Sequence, residues 1–347
     1  MIEKNEIVSI AVDTLGSETS LYNIIKGLNI SFLRNENYHF NLFGKKIDIT
    51  NELKKYKALA DNVKIFDCIE SVEMTDKPSE VMKSKKDSSM FRSIDSVKIG
   101  KSDAVLSCGN TGVLMALALF NLKTLTSIKR PAIASIWPNI KSESIVLDLG
   151  ANIKSDYQYL IDNAILGASL ASILLKIKDP SVGLLNVGKE DTKGNEILQK
   201  ASSDLIELDK KGHLNYFGFV EGSDISLGIT NVVVTDGFTG NIALKTAEGT
   251  ARMIQNFLKS ALSSSFFSKI GSFFASLALK SLKDKLDPRI HNCGIFVGLN
   301  APVIKCHGAS DYVGIAYAAD LMYLLISSNV NEKIRENLEN LENLEKY

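Results

Sequence analysis

Residues 104–112 read Ala104-Val105-Leu106-Ser107-Cys108-Gly109-Asn110-Thr111-Gly112, a short apolar run that gives way to a turn of glycine, asparagine and threonine before a helical pattern begins. The same order returns three times. Residues 144–147 lead into Asp148-Leu149-Gly150-Ala151-Asn152, and residues 182–187 into Gly188-Lys189-Glu190-Asp191-Thr192-Lys193-Gly194-Asn195. Residues 231–235 lead into Asp236-Gly237-Phe238-Thr239-Gly240-Asn241. A strand that passes through such a turn into a helix is the repeating unit of an α/β sheet. Upstream, an apolar strand at 7–12 ends in Asp13-Thr14-Leu15-Gly16-Ser17, and a helical pattern covers 21–32. Further strands are expected at 38–43 and 62–66, around a charged helix-like stretch at 52–59. The expected fold is α/β, a mostly parallel sheet with helices on both faces. In such a sheet the carboxyl ends of the strands line one edge and ligands bind in the crevice there, so the four turns are expected to converge. Glycine lets the backbone approach a ligand, and the amides that open the next helix favour an anion.

The chain of 347 residues is long enough for one large α/β domain or two ordinary ones at about 150 residues each. Apolar residues make up 45% and charged residues 23%, the balance of a folded globular protein. Forty basic residues offset forty acidic ones, so no overall field favours nucleic acid as a partner. Cys68, Cys108, Cys293 and Cys306 are far apart and the four histidines are isolated, a pattern that points to neither disulfides nor a metal site. The amino terminus lacks the basic start and apolar stretch of a signal peptide, and no long apolar run is present, so a cytoplasmic protein is expected. Residues 1–326 are expected to form a single domain with an amphipathic excursion at 252–286, and residues 327–347 a charged C-terminal helix. No glycine-rich dinucleotide turn sits between a strand and a helix with an acid downstream, which weighs against a dehydrogenase.

Read together, the motifs resemble the phosphate acyltransferases of bacterial phospholipid synthesis, the PlsX family, from Asp13 to about Ala319. The most distinctive are residues 107–116, Arg130-Pro131-Ala132, residues 147–152 and 182–188, Lys193-Gly194-Asn195, Val220-Glu221-Gly222, and residues 236–241 leading into Leu244-Lys245. Met74-Thr75-Asp76-Lys77-Pro78 and Lys85-Lys86-Asp87-Ser88-Ser89 also fit the family's pattern. The resemblance implies a fold similar to those of phosphotransacetylases and isopropylmalate-type dehydrogenases. It implies transfer of a long-chain fatty acyl group from acyl carrier protein (ACP) to orthophosphate, giving acyl phosphate for phospholipid synthesis, with no cofactor. It implies a homodimer as well, with a membrane glycerol-phosphate acyltransferase as a further partner. The alternative is a phosphotransacetylase-like transfer of a short acyl group between coenzyme A and phosphate. Two stretches depart from the family. The first turn has Ser17-Glu18 where the family has glycine and aspartate, and residues 291–298 replace a glycine-rich loop, so that loop is expected to bind its acyl chain differently. Asn300, His307, Gly308 and Ser310 still match.

A thioester is already activated, so phosphate can attack it directly once its charge is held and the developing oxyanion is stabilised. Lys193 and Asn195 suit the phosphate, Asn241 the phosphate or the thioester carbonyl, and Asn110 with Thr111 add donors at a helix start. His307 is positioned by its motif to protonate the leaving sulfur. The expected catalytic residues are therefore Lys193, Asn241 and His307. Asn110, Thr111, Gly112, Asn152, Asn195, Asp236 and Gly240 are expected to line the substrate site, with Asp13, Asp148 and Asp236 bracing their turns. Cys108 is the alternative nucleophile because it precedes Gly109 at a helix start.

Residues 252–285 carry six basic residues and one acid, and Phe266, Ile270, Phe273, Phe274 and Leu277 recur at helical spacing. This cationic amphipathic stretch is expected to attach the protein peripherally to anionic bilayers.

Overall fold

The computed structural model describes residues 7–265, 267, 274, 275 and 293–345. The first strands are β1 (Val8–Asp13), β2 (Tyr38–Gly44), β3 (Val63–Asp67) and β4 (Ala104–Ser107). After them come β5 (Ala132–Pro138), β6 (Glu143–Leu147), β7 (Ser181–Leu185), β8 (Asn215–Val220), β9 (Val232–Val234), β10 (Cys293–Val297) and β11 (Val303–Cys306). Between them lie α1 (Leu21–Arg34), α2 (Lys46–Leu53), α3 (Lys57–Ala60), α4 (Pro78–Ser84), α5 (Ser89–Lys98) and α6 (Thr111–Leu122). The later helices are α7 (Tyr157–Leu174), α8 (Glu196–Lys210), α9 (Gly222–Leu227), α10 (Gly237–Ser263), α11 (Tyr312–Ser327) and α12 (Val330–Glu345).

All eleven strands join one sheet in the order β3-β2-β1-β4-β11-β10-β5-β6-β9-β7-β8. Seven of its ten ladders are parallel, and the three antiparallel ones are β11 with β10, β10 with β5, and β5 with β6. The consequence reverses one expectation. The block β3-β2-β1-β4-β11 runs one way and the block β6-β9-β7-β8 runs the other, so the glycine-rich turns do not lie along a single edge. The junction at β10 and β5 separates two oppositely directed half-sheets.

Strand residues alternate between two cores, one on each face, because successive side chains point to opposite sides. Ile10 and Val12 of β1 and Leu106 of β4 belong to one cluster, whereas Ala11 and Val105 belong to the other. Helix α1 shows how the sequence builds the first layer. Its side chains Ile24, Ile25, Leu28 and Phe32 are buried, and Ser20 caps its first turn by accepting from the Asn23 amide. A cap of this kind is worth about 0.5–2 kcal/mol. Gly27 lets α11 cross closely, since a Cβ there would stand 2.5 Å from the Ile315 Cβ.

Helix α10 runs unbroken from the β9 turn to Ser263, so residues 252–263 continue a helix that starts at the cleft. Of the amphipathic pattern, Phe274 is described and exposed. Phe266, Ile270, Phe273 and Leu277 lie outside the described residues. Helix α12 buries Val330, Ile334 and Leu338, and the Asn337 amide donates to the Ser169 hydroxyl of α7, which ties the C-terminal helix into the main fold. No single helix among the described residues is long and apolar enough to cross a membrane.

Candidate active site

A cleft of about 550 Å³ opens where the two half-sheets meet. Its floor is the junction itself: Ile133 and Ser135 of β5, Cys293 and Gly294 of β10, and Lys305 and Cys306 of β11. Its walls come from strand ends on both sides. Thr111 follows β4 and His307 and Gly308 follow β11, while Leu149 and Gly150 follow β6 and Gly237, Phe238 and Asn241 follow β9. Four strand ends from half-sheets of opposite direction thus border one cavity. Residues 293–297, expected to form a loop that contacts the acyl chain, form the central strand β10; Cys293 and Gly294 still line the cavity.

The turn after β6 is knitted by Asp148, which is fully buried. Its Oδ1 accepts from the amides of Ile133, Gly150 and Ala151, and its Oδ2 from the Asn152 amide and the Tyr159 hydroxyl. The turn after β9 packs directly onto it. Gly237 donates its amide to the Asn152 carbonyl at 3.0 Å. A Cβ at Gly240 would lie 1.9 Å from the Asp148 carbonyl oxygen, which makes glycine necessary there. Asp236 caps α10 by accepting from the Thr239 amide and hydroxyl at 2.9 and 2.7 Å. This locked pair of turns presents Asn241 one helical turn into α10, beside Gly150, whose φ of 132° also requires glycine. The Asn241 amide has no hydrogen-bond partner among the described residues and faces the cleft.

Other residues expected at the substrate site hold the frame. Asn110 caps α6 by accepting from the Val113 amide, and its Nδ2 donates to the carbonyls of Glu73, Met74 and Asp76. Its amide is therefore occupied in pinning the 73–76 loop beside the cleft, to which Met74 contributes. Asn152 spends its Nδ2 on the Pro131 carbonyl and the Tyr159 hydroxyl. Asn195 caps α8 by accepting from the Leu198 amide. Asn195 and Lys193 are exposed on the turn after β7, outside the cleft lining, and Gly112 is exposed on the first turn of α6, also outside it. Asp13 is buried at the end of β1, where it accepts from the Ser89 and Ser107 hydroxyls and the Leu15 amide. Burial raises its carboxyl above the usual carboxylate range, with these bonds pulling the other way. Gly16 is required by a φ of 67° and by the Val72 carbonyl, 2.0 Å from where a Cβ would stand; two residues on, Glu18 reaches the cleft rim.

The charges at the cleft are unequal in setting. Lys245 is half exposed and paired with Glu248 at 2.9 Å. Lys305 is 8% exposed and makes no ion pair among the described residues; its Nζ donates to the main-chain carbonyls of Cys108 and Cys306. Burial lowers its pKa. His307 accepts from the Ala309 amide at Nδ1, at 3.2 Å, which assigns its proton to Nε2. Burial first, and then the positive charge of Lys245, hold the imidazole below its ordinary pKa, so the neutral ring is the resting form at pH 7. Cys108 is buried outside the lining, and its hydrogen bond to Cys306 together with burial pushes the thiol well up. A thiol held protonated is a poor nucleophile. Lys305 was not read from the sequence as a site residue, although a lysine inside the apolar run Val303-Ile304-Lys305-Cys306 is the signal that marks it. Among the described residues no group of three or more metal-ligating side chains is brought together.

The chain matches a family model described as fatty acid synthesis protein over residues 8–333. It is 46% identical over 334 residues to a phosphate acyltransferase of Agrobacterium fabrum, covering 96% of this chain and 94% of that protein. It is also 46% identical over 332 residues to a phosphate acyltransferase of Azorhizobium caulinodans, covering 95% and 93%. Among solved structures it is similar to a phosphotransacetylase from Streptococcus pyogenes, with a TM-score of 0.63 at 16% identity and 94% of each chain covered. The EutD phosphotransacetylase from Staphylococcus aureus gives a TM-score of 0.59 at 14% identity, covering 93% and 94%. At these identities the two structures speak for the fold, an α/β architecture of the phosphotransacetylase type.

Proposed function

Because the chain belongs to the phosphate acyltransferase family, we propose that its substrates are a long-chain acyl-ACP and orthophosphate and its product an acyl phosphate for phospholipid synthesis. The observation that carries this reading is the composition of the cleft. Ile133, Leu149, Ile153, Phe238 and Leu244 offer an apolar surface for an acyl chain, while Thr111, Asn241, Lys305 and His307 supply donors at the same cavity. An apolar pocket with a few convergent polar groups is the usual form of a small-molecule site.

The chemistry is direct. A phosphate oxygen attacks the thioester carbon, the carbonyl oxygen takes up charge, and the carbon–sulfur bond breaks. The neutral His307 ring donates from Nε2 and the Asn241 amide donates from Nδ2, both suited to a developing oxyanion. The departing sulfur leaves as a thiolate and then takes the proton that phosphate gives up. Lys193, exposed on the turn after β7, is proposed to draw phosphate or the phosphate end of the transition state toward the cleft. The protonated thiol of Cys108 supports a route without an acyl-enzyme.

The test is incubation of the purified chain with palmitoyl-ACP and phosphate, followed by assay for acyl phosphate. Formation of acyl phosphate is expected, and turnover only of acetyl phosphate with coenzyme A replaces this reading with the short-chain one. Mass spectrometry of enzyme mixed with acyl-ACP alone is expected to show no adduct; a stoichiometric acyl group on Cys108, released by phosphate, overturns the direct route.

A further inference from the structure

We infer that Lys305 is the interior cation that binds the phosphate substrate, an inference that rests on the acyl-transfer reading above. The side chain stands in the middle of the sheet, on β11, where an ammonium is expensive to bury unless an anion compensates it. None of the described residues places one in contact with it, and Lys305 makes no ion pair among them. Asp13 acts on it only at longer range and spends its carboxylate on Ser89, Ser107 and Leu15. An ammonium has three donors. Two go to the carbonyls of Cys108 and Cys306, and the third has no acceptor among the described residues.

The register explains how a buried lysine can still reach a ligand. Lys305 pairs with Ser107 on β4 and with Gly294 on β10. Gly294 has no side chain to cover its neighbour, and both residues line the cleft. The other titratable groups near the amine are the thiols of Cys108, Cys293 and Cys306, and none of them is a carboxylate. The remaining cations serve this purpose less well. Lys245 is engaged by Glu248, and Lys193 is exposed outside the lining. A tetrahedral anion seated on Lys305 shares the cavity with the Thr111 hydroxyl at the start of α6 and with the Asn241 amide. A charge-assisted bond there is made away from solvent screening, where it is strongest.

The experiment uses the full chain and the variants Lys305→Met and Lys305→Arg, titrated with inorganic phosphate against chloride at constant ionic strength. Phosphate should raise the melting temperature of the wild type and of Lys305→Arg but not of Lys305→Met, as expected for a ligand that binds the folded state. The KM for phosphate should rise about ten- to a hundredfold in Lys305→Met, with the KM for acyl-ACP little changed. A Lys305→Met enzyme with unchanged phosphate KM and a reduced kcat overturns the proposal, because the amine then serves the thioester oxygen instead. If Lys305→Met does not fold, amine acetylation of the wild type decides, read by peptide mass spectrometry: phosphate must slow labelling of Lys305, and equal labelling overturns the proposal. Wild-type protein that binds phosphate through Lys305 yet makes no acyl phosphate from acyl-ACP removes the acyl-transfer reading and leaves the anion site standing.

Discussion

Asn241 and Lys193 both follow glycine-containing turns, yet the fold gives them different surroundings. Asn241 is held by two interlocked turns against the cavity, whereas Lys193 is exposed on the turn after β7. Loss of a hydrogen bond to a charged partner costs about 1.5–3 kcal/mol, or roughly ten- to a hundredfold in rate when it is felt in the transition state. Asn241→Ala should therefore lose that much kcat at an unchanged melting temperature. Lys193→Ala should lose turnover to a similar extent without loss of stability, and near-normal turnover in either variant excludes that residue from the reaction. His307 gives a pH signature. Its Nδ1 accepts the Ala309 amide, so a proton added there sets two donors face to face and displaces the ring. The depressed pKa places this event below about 6.5. The ratio of wild-type to His307→Gln kcat, in which the ionisation of phosphate cancels, should be flat from pH 7 to 8 and fall at lower pH. A ratio that stays constant down to pH 5 removes His307 from the mechanism. Asn241 and His307, which the motifs carry, line the cleft, and so does Lys305, which stands within a strand where no turn motif marks it. Asn110 and Asn152, expected at the substrate site, use their side chains in capping and turn-pinning, tasks that draw on the same group as oxyanion binding.

The element that most constrains the site is the start of α10. Gly240 packs onto the Asp148 carbonyl with no room for a methyl group, and the clash is with backbone rather than with the end of a flexible side chain. Gly240→Ala should destabilise the protein by about 1–3 kcal/mol, the usual cost of overpacking a tight contact. Equilibrium urea unfolding measures it, and a variant as stable as the wild type shows that the two turns are not locked. Activity should fall with it, since the displaced helix carries Asn241. The strands before glycine turns were legible because apolar runs and turn chemistry coincide there. Strands β5, β10 and β11 were not. Residues 132–138 follow the Arg130-Pro131 motif, which carries no strand signal of its own, and residues 293–297 stand where the family resemblance implies a glycine-rich loop. The helical stretch expected at 52–59 is two short helices, α2 ending at Leu53 and α3 beginning at Lys57.

For the whole molecule, strand order and direction were the illegible part, because neither is written in local periodicity: the pairs that reverse the sheet join residues as distant as Ala134 and Ile295. Membrane contact also belongs to this scale. Along α10 the side chains of Met253, Ile254 and Phe257 are exposed, and so is Phe274 beyond it. Burial of a large apolar side chain is worth roughly 1.5–3 kcal/mol when complete, so a few such groups give reversible attachment. Flotation with vesicles rich in anionic lipid should carry the protein upward, and the double variant Phe273→Asp, Phe274→Asp should stay at the bottom; equal flotation of both excludes this stretch as the anchor. The junction has a further consequence for synthesis. Strands β10 and β11 are the last of the sheet to leave the ribosome, yet they lie at its centre, between β4 and β5. Until residues 293–306 emerge, the nascent chain has two separate half-sheets, each with a bare edge of the kind that invites wrong pairing between chains. The same late segment brings Lys305, with His307 next in the chain, so closing those edges and completing the cleft are a single event in the life of the polypeptide.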